Sequence, residues 1–312
     1  MALVLVPIIG FIAGLVMLII SSDKAVEHSL NIATTLRIAP FIVGLIFISL
    51  GTDLPELANS LIANYQGFGD INVGASLGSV VAQISLIMGL VAIMSNGFRI
   101  KRKEVIVTGF FLVLSLVLSL VAIQAGFIPR AVGFLLVAGW LFFSYLIKKI
   151  TERDVKKNFV YKYNPNLDKD IAISILGFIG VAIGAYIMVE SIIELSSIFS
   201  VSEFIISFFL VSIGTSLPEL VVNVSAIRKR EYEMAIGNTI GSCIVDATVP
   251  IGLGSLFFPT IVSIDAATLT GMYAIFATIA VIATMALRKR LDRKIGIFFL
   301  AIYLFSFVLL SV

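Results

Sequence analysis

Apolar residues in this chain run in long unbroken stretches, and the polar residues gather between them. The stretches fall at 2–21, 38–64, 71–95, 105–124, 130–147, 170–190, 204–227, 232–257, 265–287 and 295–311. As helices rising about 1.5 Å per residue, such runs match a hydrocarbon layer roughly 30 Å thick. A transmembrane barrel would show short segments of alternating polarity instead, whereas these runs are continuous and contain glycine. The pattern predicts an all-α polytopic membrane protein with ten transmembrane helices.

Composition agrees with this class, since 59% of the 312 residues are hydrophobic, 13% are charged and mean hydropathy is +1.11. No water-soluble core of this size needs so much apolar residue. The cations then set an orientation, because Lys and Arg near span ends stay on the cytoplasmic side. Of the 22 Lys plus Arg, all but Arg130 fall in alternate loops: after spans 1, 3, 5, 7 and 9. Both termini are therefore expected outside, in a plasma membrane protein whose segment 150–169 is cytoplasmic. The net charge of +3 reports this topology. No basic face with interleaved aromatics suggests a nucleic-acid partner, and protein partners are not legible. The first twenty residues lack a positive n-region and a small-residue cleavage site, so they read as a retained first helix. The single cysteine, Cys243, reads as a small buried packing residue, and without a Cys/His cluster no zinc, iron-sulfur centre or other cofactor is expected.

Within the apolar runs one hexapeptide occurs twice, Gly51-Thr52-Asp53-Leu54-Pro55-Glu56 and Gly214-Thr215-Ser216-Leu217-Pro218-Glu219. A constant offset of 163 carries the match beyond it, pairing Gly14 with Gly177, Glu27 with Glu190, Phe41 with Phe204, Gly74 with Gly237, Gly78 with Gly241, Ser79 with Ser242 and Gly89 with Gly252. Five spans per copy is an odd number, so the second copy enters the membrane from the opposite side. The expected organisation is two inverted repeats, 1–149 and 170–312, joined by a linker at 150–169.

The chemistry lies where each copy combines a proline with an acid. Pro55 and Pro218 have no N–H to donate, so carbonyls one turn earlier, near Gly51 and Gly214, lose their helical partners. Thr52 with Glu56, and Thr215 with Glu219, stand four apart and would share a helix face. The following span supplies Ser79 and Gln83 in one copy and Ser242 and Asp246 in the other. The glycines at 74, 78, 237 and 241 would let these spans approach the broken helices closely. The donors are all oxygen: carboxylates of Glu56, Glu219 and Asp246, with Asp53 a further acid, hydroxyls of Thr52, Thr215, Ser79, Ser242 and Ser216, the Gln83 amide and backbone carbonyls. Calcium takes 6 to 8 such oxygens, whereas transition metals usually recruit His or Cys. A phosphate or amino-acid substrate would call for basic residues at depth, and the spans offer none. Each ionised carboxylate at mid-membrane costs about 2.5 to 3.5 kcal/mol, so the acids must be neutralised by cations or protons. A site that reorients only when loaded points to exchange of one cation set for another.

At these residues the chain resembles the sodium/calcium exchanger family, within the cation/calcium exchanger superfamily, and specifically its compact prokaryotic members. The resemblance rests on the paired Gly-Thr-x-Leu-Pro-Glu motifs, each followed by Gly-x-x-x-Gly-Ser and a polar residue four beyond the serine, and it covers the whole chain. It implies a ten-helix fold, alternating access and antiport of calcium against sodium. It further implies that Glu56 and Glu219 bind calcium and that Thr52, Thr215, Ser79 and Ser242 help form flanking sodium sites. Carbonyls of Ser49 and Ser212 are implied ligands, and the first and sixth helices are implied to slide across the rest.

Two positions depart from the family pattern: Asp53 stands where the second copy keeps Ser216, and Gln83 stands where many sodium-coupled members have asparagine. These leave the coupling ion open between sodium, taken first, and protons. Asp53 itself has two readings, a direct ligand or a residue facing an aqueous vestibule. Of the rival classes, an intramembrane protease lacks its GxGD, HExxH or Ser/His signatures. A passive cation channel would be built around a symmetric pore or carbonyl filter rather than a repeat with charged midplane residues.

Overall fold

The computed structural model describes residues 2–36, 40–95, 97–155, 166–198 and 215–310. Residues 204–214 of the expected seventh span and 156–165 of the expected linker lie outside these. The described helices are α1 (Ala2–Leu36), α2 (residues 40–52), α3 (Leu54–Tyr65), α4 (Gly69–Met94), α5 (Arg102–Ile123), α6 (Arg130–Val155), α7 (Leu167–Ile198), α8 (Leu217–Arg228), α9 (Tyr232–Phe257), α10 (Ile264–Arg288) and α11 (Arg293–Leu310). Among the described residues, six helices are long and apolar enough to cross a membrane, or seven when the bent pair α2 and α3 is taken as one span. The fold is thus that of a helical polytopic membrane protein.

Two expected spans take a different form. The first was expected to end near residue 21, but α1 continues to Leu36, because the polar residues beyond find partners. Ser225 donates to the Asp23 carboxylate, Lys229 Nζ donates to the Asp23 carbonyl at 2.9 Å, and the Ser29 and Ser174 hydroxyls lie 2.9 Å apart. The expected second span, 38–64, is not one rod, since α2 and α3 meet at 48°. Pro55 falls in the first turn of α3, where a missing N–H is tolerated, and Asp53 at the junction leaves helical geometry with φ −79° and ψ 4°. Ser216 repeats that geometry before α8, with φ −84° and ψ 2°.

Large apolar side chains face outward on α1, α5, α6, α7, α10 and α11, while many polar ones are buried. An apolar exterior suits lipid, and the polar residues buried beside the apolar core are the ones to explain. At the centre lies α9, packed against α2, α3, α4, α5, α6 and α8. Its approach to α2 is backbone to backbone. A methyl group at Gly237 would overlap the Phe41 carbonyl, one at Gly241 the Leu45 carbonyl, and one at Gly44 the Met234 carbonyl. Gly74 does not make the expected close contact, because nothing among the described residues lies within 4 Å of a methyl there. Its offset mate Gly237 meets Phe41, and Phe204, the matching residue, lies outside the described residues.

Contacts between the halves follow a pattern. Along α1 and α7, Gly10 meets Ser191, Ser21 meets Gly180 and Ala25 meets Gly177, so the two helices run antiparallel. Gly89 on α4 packs against Gly296 on α11, and Gly133 on α6 packs against Gly252 on α9. These are the same contact twice, since 89 + 163 = 252 and 133 + 163 = 296. Two short antiparallel bridges, Phe98–Arg99 with Arg290–Leu291 and Phe127–Ile128 with Thr260–Ile261, join loops of the two halves. Beside the first bridge, the Phe98 ring stacks on Tyr232 at 4.5 Å and Lys101 Nζ donates to Glu233 at 2.8 Å. Burial pulls the Lys101 pKa down, but the hydrogen bond to Glu233 and the charges of Glu104 and Glu233 outweigh it and hold the ammonium above the usual lysine range.

Candidate cation site

The breaks at Asp53 and Ser216 aim the first turns of α3 and α8 at one point in the interior. There Asp53, Glu56 and Glu219 bring carboxylate oxygens within 4.8 Å of one another, all from buried residues. Asp246 on α9 joins them, held by Gln83 on α4, whose Nε2 donates to Asp246 Oδ2 at 2.8 Å. Those two residues are 163 apart, so the bond links offset mates.

Four carboxylates so placed repel one another, and among the described residues none of them makes an ion pair. Both oxygens of Asp53, Glu56 and Glu219, with Asp246 Oδ1, Gln83 Oε1 and the hydroxyls of Ser79, Ser242 and Ser216, are buried without a hydrogen-bond partner among the described residues. Buried polar atoms are almost always paired, so eleven orphaned atoms gathered from these eight residues mark a cavity built for something else. The donor set is oxygen only and carries negative charge, which fits calcium or sodium and gives a transition metal little to hold.

Of the expected site residues, Thr52, Asp53, Glu56, Ser79, Gln83, Thr215, Ser216, Glu219, Ser242 and Asp246 are all buried. Asp53 is fully enclosed in this conformation, beside Glu56 and Glu219. Thr52 ends α2 and Glu56 lies in the first turn of α3, so the two flank the 48° bend at Asp53 rather than sit on one continuous helix. Each threonine lies near the acid of the other half, Thr52 near Glu219 and Thr215 near Glu56, without a hydrogen bond to it among the described residues. Ser49 is also buried, and its carbonyl accepts from the Asp53 N–H at 2.9 Å and the Thr52 hydroxyl at 3.1 Å. Both lone pairs are thereby occupied, so this oxygen reaches a cation only if the Thr52 hydroxyl turns away. Ser212 lies outside the described residues.

Several buried polar residues escaped the motif reading. Ser115 on α5 and Thr278 on α10 are both buried, with hydroxyls that find no partner among the described residues. They too are 163 apart, so the offset rule could have found them. A second group, Asn223, Asn238 and Thr239, forms a hydrogen-bonded chain between α8 and α9. Its members match Ser60, Ala75 and Ser76 by offset, which is too weak a likeness for pattern alone.

Comparison with known proteins agrees with this geometry. The profile of the sodium/calcium exchanger protein family matches twice, over residues 6–149 and 169–312. An uncharacterised membrane protein of Methanocaldococcus jannaschii, MJ0091, is 30% identical over 298 residues, 95% of each chain. The sodium/calcium exchanger MaX1 of Methanosarcina acetivorans is 29% identical over 79% of this chain and 81% of its own. A solved structure of the sodium-calcium exchanger NCX_Mj, soaked with Na+ and Sr2+, superposes with a TM-score of 0.81 at 27% identity, covering 98% of this chain and 99% of that one. On the doubled family match and likeness over nearly its whole length, this chain belongs to the sodium/calcium exchanger protein family.

Proposed function

We propose that this chain is a secondary antiporter that exchanges calcium for sodium by alternating access. In this reading ten spans form two inverted five-helix repeats, 1–149 and 170–312, joined by a cytoplasmic linker at 150–169. The protein sits in the plasma membrane with both termini outside. The observation that carries the proposal is the cluster of Asp53, Glu56 and Glu219, buried within 4.8 Å of one another and drawn from both halves. Such a cluster is stable only when cations share its charge.

The inverted relation is supported by the antiparallel packing of α1 on α7, which correspond by offset, and by the glycine contacts that α4 and α9 each make with the last helix of the other half. Spacing of the two family matches supports it as well, since 6 + 163 = 169 and 149 + 163 = 312. Within the site, Glu56 and Glu219 take the calcium, and Thr52, Thr215, Ser79 and Ser242 line the flanking sodium positions. Asp246, Gln83, Asp53 and Ser216 complete the oxygen shell, with the Ser49 and Ser212 carbonyls at its edges. Sodium coupling draws support from the names of MaX1 and NCX_Mj. Proton coupling is the second reading, favoured by one observation: Asp53 adds a buried acid where its mate is Ser216.

Purified protein in liposomes tests both. Calcium uptake at clamped voltage is expected with an outward sodium gradient and not with an outward proton gradient. Uptake driven by protons alone would sink sodium coupling, and uptake without any gradient would favour a channel. Asp53→Ser makes the two hexapeptides alike, and it is expected to keep sodium-driven uptake within about tenfold of the wild type, a change of roughly 1.4 kcal/mol. If protons are the coupling ion, this variant should lose proton-driven uptake instead.

A further inference from the structure

We infer that the Asn238 side chain is a cation ligand outside the carboxylate cluster, met by an ion passing between the site and the membrane face that carries Arg228, Lys229 and Arg230. The inference rests on the antiporter reading and adds to it a one-sided access step.

A chain of hydrogen bonds fixes which end of the Asn238 amide is free. The Thr239 hydroxyl donates to the Ala235 carbonyl at 3.0 Å, so toward Asn223 it can only accept, and it does so from Asn223 Nδ2 at 2.9 Å. That turns Asn223 Oδ1 toward Asn238, where it accepts from Asn238 Nδ2 at 3.0 Å. The group left over is Asn238 Oδ1, buried and without a partner among the described residues. A carbonyl oxygen is the part of an amide that binds calcium or sodium, so the network presents a cation ligand and hides the donor.

Position decides what this oxygen serves. Asn238, Ser242 and Asp246 are spaced by four along α9, and each turns an unpartnered oxygen to one helix face. Asn238 is the member nearest the start of α9 at Tyr232, about 9 Å along the axis from the α8–α9 hairpin. It stands between that hairpin and the carboxylates. The corresponding stripe on α4 holds Ser79 and Gln83 but has Ala75 in the matching place, since 75 + 163 = 238. The extra ligand therefore exists on one approach only. A neutral oxygen there would replace a water of the travelling ion without holding it as a carboxylate would.

The test measures the half-saturating calcium concentration separately at each face of oriented proteoliposomes. Asn238→Ala is expected to raise it about five- to tenfold at the hairpin face and less than about twofold at the other, the effect of losing one hydrogen-bond-sized contact. Asn223→Ala releases the Asn238 amide but keeps its oxygen, so it should give a smaller shift than Asn238→Ala, at the same face. Asn238→Ser, which keeps a shorter oxygen, should give a smaller shift at the same face and serves if the alanine variant does not fold. Equal shifts at both faces, equal effects of Asn238→Ala and Asn223→Ala, or no shift at all would each overturn the inference. Absence of gradient-driven uptake in the wild type would instead overturn the antiporter reading beneath it.

Discussion

Glu56→Gln and Glu219→Gln are each expected to lower calcium uptake by more than about a hundredfold while raising the stability of the ion-free protein. Both effects come from one cause. The four carboxylates are buried together, with no basic partner among the described residues, so each destabilises the ion-free fold by about 2.5 to 3.5 kcal/mol on membrane insertion scales. Glutamine keeps the shape of glutamate and one of its acceptor oxygens but removes the charge, so part of that cost disappears. The same charge is what attracts a divalent ion, and a hundredfold loss corresponds to roughly 2.7 kcal/mol of lost binding or transition-state stabilisation. Thermal unfolding in detergent separates the two. Calcium at 100 times its Kd should stabilise the wild type by about 2.7 kcal/mol, and at the same concentration it should leave either variant nearly unchanged. Wild-type uptake in Glu56→Gln, or an equal calcium shift in Tm for variant and wild type, would remove these carboxylates from the site.

Gly241→Ala is expected to be the most damaging single methyl addition in the interior, lowering both stability and uptake. In an ordinary helix this change is favourable by about 1 kcal/mol, because glycine loses more backbone entropy on folding. Here the new methyl would overlap the Leu45 carbonyl oxygen and stand 2.7 Å from Leu45 Cα and 2.8 Å from its carbonyl carbon. Backbone atoms cannot swing aside as a side chain can, so α2 and α9 must separate. Overpacking of this kind costs about 1 to 3 kcal/mol or more. The separation also matters for function, because α2 leads into Asp53 and Glu56 while α9 carries Ser242 and Asp246. Gly139→Ala provides the control, as its methyl would meet only the Leu118 Cδ2 atom, at 3.1 Å on a flexible side chain. Opposite signs are expected from thermal unfolding, Gly139→Ala neutral or stabilising and Gly241→Ala destabilising. Equal behaviour would mean that the α2–α9 contact is looser than the described packing.

Motif residues proved easier to read than the paths of the helices that carry them. Apolar run length marked α4, α5, α9 and α10 to within a few residues, since hydrocarbon thickness sets a minimum length that any sequence must meet. It failed at α1, where the polar residues after Ser21 looked like a loop and are instead helical, partnered by Ser225, Lys229 and Ser174. Such partners lie some 145 to 206 residues away, and no local pattern registers them. The bend at Asp53 was half legible. Pro55 announced a lost hydrogen bond, but the 48° angle between α2 and α3 depends on how both pack against α9.

By itself the sequence determined that this is a polytopic membrane protein with a doubled motif and an all-oxygen donor set, because residue type, run length and the offset of 163 are properties of the chain alone. Only the tertiary structure decided that Asp53 belongs with Glu56 and Glu219, that each threonine lies near the acid of the other half, and that the Gln83 amide nitrogen is held by Asp246. Asn238 likewise gained meaning only from the chain of bonds that frees its oxygen. Those facts depend on which side chains meet across helices far apart in sequence, and in a membrane interior every buried polar atom is costly enough that its partner, or the lack of one, carries the information.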